Sequence, residues 1–66
     1  MKIQSILVPN IYHLKDATEW VMMHKYNYEK VHRTNNYWRY RQYPPTPGAK
    51  YISKTLSNGV ILVFEK

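Results

Sequence analysis

An alternation of aromatic and basic residues, Tyr37-Trp38-Arg39-Tyr40-Arg41-Gln42-Tyr43, constrains this chain more than any other stretch. Successive side chains of a strand point to opposite faces. An extended backbone here therefore sorts Tyr37, Arg39, Arg41 and Tyr43 onto one face and Trp38, Tyr40 and Gln42 onto the other. The second face is apolar enough to pack on a core, with Trp38 and Tyr40 as its anchors. The first is cationic and aromatic, which suits stacking on bases and pairing with phosphates. The same residues also serve cross-strand pairing in a sheet that binds nothing, with arginine stacked on rings. A bulge within the run would exchange the faces and expose Trp38.

The core available to such a strand is small. With 66 residues the chain is expected to form a single domain, residues 1–66. A domain of this size buries only about 60% of its unfolded surface. There is no cysteine to supply a disulfide or a thiolate ligand, a composition that fits a reducing compartment. Aromatic residues make up 15% of the chain, and rings burying roughly 150–250 Å² each can fill a core of this size.

The remaining segments divide at clear signals. Ile3 to Val8 reads as a strand with apolar groups on both faces, stopped by Pro9. Leu14 to about Lys25 reads as the one helix, with Leu14, Ala17, Trp20 and Val21 on a buried stripe. Asp16 and Glu19 stand early in it and Lys25 at its end, as the helix dipole favours, and His13 takes the N-cap place. Met22 and Met23 cannot both face the core. Lys30 to Thr34 reads as a short strand and Asn35-Asn36 as a turn. Pro44-Pro45-Thr46-Pro47-Gly48 ends the aromatic strand. Tyr51 to Leu56 and Val60 to Glu65 flank Ser57-Asn58-Gly59, a hairpin signal, and the continuously apolar Val60 to Phe64 belongs inside the sheet. The expected fold is two-layer α+β, with one helix on a three- to four-stranded, mostly antiparallel sheet in the order β-α-β-β-β.

Charge narrows the partners. Ten Lys and Arg stand against four Asp and Glu, a net charge of +6. That balance favours nucleic acid first, then acidic proteins or membrane headgroups, although net charge also serves solubility alone. From Arg33 onward Glu65 is the only acid, so the expected anion-binding set is Arg33, Tyr37, Arg39, Arg41, Tyr43, Lys50 and Lys54.

Catalytic and metal chemistry find little support. Asp16 and Glu19 are three apart on a helix, as residues that complement its dipole are. His13 and His24 are eleven apart at opposite helix ends and cannot chelate one ion, and His32 has no ligand-spaced partner. Ser5, Ser53 and Ser57 lack the context of a nucleophile. With only Gly48 and Gly59, no phosphate-cradling glycine loop exists. The apolar run at Met1 to Pro9 is too short for a signal peptide, and no stretch approaches the roughly 18 residues of a membrane span. A non-enzymatic, intracellular protein with no cofactor, no metal, no membrane contact and no evident small-molecule substrate is expected.

Several blocks together resemble a known group. They are Ile6 to Pro9; Tyr12, Leu14, Ala17 and Trp20; His24 and Tyr26; Asn36 to Gln42; Tyr51; Lys54 to Leu56; and Asn58 to Val63. The pattern is similar to that of small domains found in large DNA viruses of eukaryotes, and in bacteriophages beside head-maturation proteins. The Tyr-Trp-Arg-Tyr-Arg-Gln core and the Asn-Gly hairpin carry most of the likeness. The resemblance implies a viral origin and a host-cell, virion or genome-associated setting, and it brings no catalytic residues. This chain departs from it at His32-Arg33, where an acidic pair is common, and at Lys25, where a glycine is common. The resulting expectation is a small basic viral protein that binds DNA or RNA through its aromatic and arginine face. The competing expectation is a virion structural or adaptor module that works through protein contacts.

Overall fold

The computed structural model describes residues 2–66, and its centre is the first strand. Strand β1 (Lys2–Pro9) is followed by helix α1 (Leu14–Met23), β2 (Val31–Arg33), β3 (Tyr37–Arg41), β4 (Tyr51–Thr55) and β5 (Ile61–Glu65). The five strands form one antiparallel sheet in the order β2-β3-β1-β5-β4. The α+β class with one helix is as expected. The sheet has more strands than the three or four anticipated, because the three-residue β2 pairs with β3 and both arms of the C-terminal hairpin join. Both β1 and β5 are interior, which explains their continuous apolar runs.

Directly paired residues share a face, so the register sorts the whole sheet. Ile6 opposes Tyr40 and Leu62, and Val8 opposes Trp38. These side chains face the helix, and Ile6, Val8, Tyr40 and Val60 form the core with Ala17 and Val21 of α1. The Tyr40 hydroxyl lies 2.8 Å from Thr18 Oγ1, so the buried ring keeps a polar partner on the helix. Trp38 is half-buried, and its indole donates to the Tyr12 carbonyl at 2.9 Å.

The helix departs from its expected stripe at one end. Ala17 and Val21 are buried and Trp20 packs beside them, but Leu14 is exposed, as are both Met22 and Met23. A ten-residue helix over a twisted sheet reaches the core only along its middle. At its C-terminus Lys25 adopts φ 63°, with Tyr26 N–H donating to Val21 O and Lys25 N–H to Met22 O. That pair of bonds is the Schellman arrangement, built here with lysine in the place glycine favours.

The turns form where the sequence signals them, by different means in two cases. In the C-terminal hairpin only Gly59, at φ 91°, is left-handed, and Leu56 N–H bonds to Val60 O. The connection is thus a three-residue loop with a glycine bulge. Asn35 and Asn36 do not use the left-handed region expected of them. Thr34 instead bonds Tyr37 through both backbone and hydroxyl, and the Asn10 side chain donates to the carbonyls of Thr34 and Asn35.

Candidate functional site

The face away from the helix is where the alternating run delivers its chemistry. Within β3, Tyr37 opposes Pro9, Arg39 opposes Leu7 and Arg41 opposes Ser5, all on this open face, while Trp38 and Tyr40 point inward. The register irregularity lies in β1 between Ile3 and Ser5, and β3 keeps its alternation. Tyr37, Arg39 and Arg41 therefore form a continuous stripe, with His32 beside Arg39 across the β2 pairing. Among the described residues no carboxylate pairs with either guanidinium, and Arg41 Nε is buried with no hydrogen-bond partner.

The remaining candidates separate. Tyr43 lies beyond the end of β3, its ring covered by Lys2, whose Nζ stands 5.7 Å from the ring centroid. Its hydroxyl is buried without a partner of good geometry, so Tyr43 is not the free stacking platform expected of it. Burial pushes the Tyr43 phenol upward, and the Glu65 carboxylate and Tyr51 add to the shift. Arg33 opposes Trp38 and Lys54 opposes Leu62, which places both on the helix side of the sheet. They occupy opposite edge strands, and Arg33 stacks over Trp38 at 5.6 Å from the ring centroid. The expectation that they join the arginine patch is corrected by this register, since each sits an odd number of residues from the open-face positions of its strand. Lys50 is exposed just before β4, its carbonyl accepting the Lys66 N–H at 2.9 Å.

A cleft of about 390 Å³ opens on the same face. Its floor is Leu7 and Val63, Arg39 stands on one side, and Tyr51 on another. Gln4 and Ser5 also line it, each only 4% exposed. They reach it because the irregularity in β1 inserts Gln4 as an extra residue in the pairing with β5. Gln4 donates one amide hydrogen to Tyr43 O at 2.7 Å and accepts Gln42 N–H at its backbone carbonyl. The proline loop closes the end of the cleft through Pro45. It turns back at Pro47-Gly48, where Gly48 takes φ 76° and Ala49 N–H bonds to Thr46 O, the bond pattern and angle of a type II turn. Tyr51 Oη accepts the Thr46 N–H at 3.1 Å and ties the loop to β4.

None of these lining residues except Arg39 stood out in the sequence. Two adjacent polar residues inside an otherwise apolar interior strand, Gln4-Ser5, were the available signal, and Tyr51 was visible as an aromatic opening a strand. The histidines do not gather: His24 stacks on Trp20 at 3.9 Å between centroids and bonds its carbonyl, while His13 and His32 lie elsewhere. Among the described residues no group of three or more His, Cys, Asp or Glu side chains is placed to hold a metal ion, and no helix is long and apolar enough to cross a membrane.

No protein-family model, curated protein or solved structure matches the chain.

Proposed function

We propose that this is a non-enzymatic nucleic-acid-binding protein that grips single-stranded DNA or RNA across the open face of its sheet. The observation that carries the reading is the stripe of Tyr37, Arg39 and Arg41 on the face the helix leaves free, with neither guanidinium matched to a carboxylate. Guanidinium groups bind phosphate oxygens in a planar, two-pronged geometry, and a phenol ring stacks on any base. Asp16 and Glu19, two of the four acids, sit on the helix behind the sheet, and Glu65, opposite Lys2 and Tyr51 at the end of β5, is the acid of the open face. The virion or host-cell setting implied by the resemblance belongs to the same proposal.

A salt titration of binding to single- and double-stranded oligonucleotides tests it. Affinity should fall steeply with salt, and the Arg39→Ala/Arg41→Ala double variant should bind about tenfold or more weakly at 0.1 M salt. Its thermal midpoint should change little. A flat salt response, or equal binding by the double variant, would remove the basis of the proposal.

One observation favours a second reading. Ile11 is 84% exposed and Met23 70% exposed, and with Leu14 and Met22 they leave apolar side chains on the helix side. Met is enriched at protein contacts. A structural or adaptor role predicts a stable oligomer or protein complex that Met23→Lys disrupts, formed without nucleic acid.

A further inference from the structure

We infer that the cleft beneath the proline loop receives one unstacked nucleobase of the single strand whose phosphates lie on Arg39 and Arg41. The inference rests on the nucleic-acid reading above and adds to it a subsite and a substrate class, a strand with flexible, unpaired bases. Three features of the cleft support a base over a phosphate or a bare aliphatic group. Leu7 and Val63 make an apolar floor, and Tyr51 adds a phenol ring at the side, which together suit a flat aromatic ligand. Two almost fully buried polar side chains line the cleft, so its deepest part offers hydrogen bonds. Gln4 spends one amide hydrogen on Tyr43 O, which leaves its carbonyl oxygen and second N–H; the Ser5 hydroxyl both donates and accepts. A base edge, with donors and acceptors side by side, is the ligand group that uses both. Arg39 belongs to the cleft and to the arginine stripe at once, so a base in the cleft puts its own backbone on the stripe. The volume, about 390 Å³, lies within the roughly 300–1,000 Å³ of small-ligand sites and leaves room for a base with its sugar.

Double-stranded nucleic acid keeps its bases stacked and paired, so it cannot fill the cleft without extrusion. The cleft thereby separates single from double strands where the arginines alone would not.

The test compares a thymidine dodecamer with an abasic strand of the same length and charge, at one salt concentration. The expected result is binding of the abasic strand about fivefold to a hundredfold weaker, the range spanned by losing stacking at one base. In Val63→Phe, which fills the floor, and in Tyr51→Ala, which removes a wall on an exposed edge strand, that ratio should shrink at least threefold. The salt slope should stay unchanged. As a readout on the unaltered protein, the Gln4 side-chain amide should shift in the NMR spectrum on adding the dodecamer and stay still with the abasic strand. If both strands bind with the expected salt dependence but the ratio is the same in both variants and the Gln4 amide does not move, the cleft is not a base site and the arginine reading stands. If neither strand binds, the arginine reading falls and takes the cleft with it.

Discussion

Two residues of similar backbone conformation carry opposite stability consequences. Gly59 sits at φ 91° in the hairpin loop, and a Cβ added there would meet Pro9 Cγ at 3.1 Å. Gly59→Ala should therefore cost about 1–2 kcal/mol, from the left-handed backbone and from displacing the proline ring, as read by chemical denaturation. Lys25 holds φ 63° with a full side chain, a conformation that costs an L-residue roughly 1–2 kcal/mol. Lys25→Gly relieves that cost but loosens the unfolded chain, so a net gain of about 0.5–1 kcal/mol is expected in the same assay. The Asn-Gly signal was readable in the sequence because only glycine meets that demand cheaply. At Lys25 the helix end was legible from the dipole, while a left-handed lysine runs against its own conformational cost. It persists because tertiary packing of Tyr26 against the core holds the chain in that turn.

At the scale of elements, the helix is joined to the sheet by apolar packing and by one polar contact, Thr18 to Tyr40. Tyr40→Phe keeps the ring and removes the hydroxyl, leaving Thr18 Oγ1 without that partner. A loss of about 1 kcal/mol at pH 7 is expected. Burial raises the Tyr40 phenol above its ordinary value, only partly offset by the Thr18 bond. The neutral form is thus the one the fold prefers, and its contribution is complete below the unfolded-state value near pH 10. It is lost as pH rises through the higher folded-state value. The gap between wild type and Tyr40→Phe in denaturant midpoint should accordingly narrow above pH 10. The alternating pattern made the inward set of β3 legible, since a period of two admits only one partition. It did not reveal which face of β2 or β4 each cation would occupy. Short strands with mixed composition leave that to register, and register placed Arg33 and Lys54 behind the sheet. The polar lining of the cleft was hidden for a related reason: one inserted residue in β1 re-aims Gln4, and the adjacent polar pair Gln4-Ser5, its one local mark, does not say which face either side chain takes.

Over the whole molecule, charge is arranged by face as well as by amount. The net charge of +6 fits any anionic partner, but Arg39 and Arg41 share the open face, where Glu65 stands at the end of β5, while Asp16 and Glu19 lie on the helix side. This polarity turns the proposed function into a number. Each phosphate contact on a single strand adds about 0.7 to the slope of log affinity against log salt, so removing both arginines should lower the slope by about 1.4. A lowering near zero would mean that the cations acting on the strand lie elsewhere on the surface. Fold class was legible from composition and periodicity together; strand order was not, because it is decided by pairings between distant segments.

One such pairing governs how the molecule comes into being. Of the five strands, β1 is made before the others yet ends up in the middle of the sheet, and its neighbour β5 is made after them, with Lys2 opposite Glu65. Until β5 pairs with it, one edge of β1 stays open and offers a template to any extended peptide nearby. Closure between strands so far apart in sequence is slow for entropic reasons, so the yield of native protein is set by a kinetic race between that pairing and mispairing of the open edge.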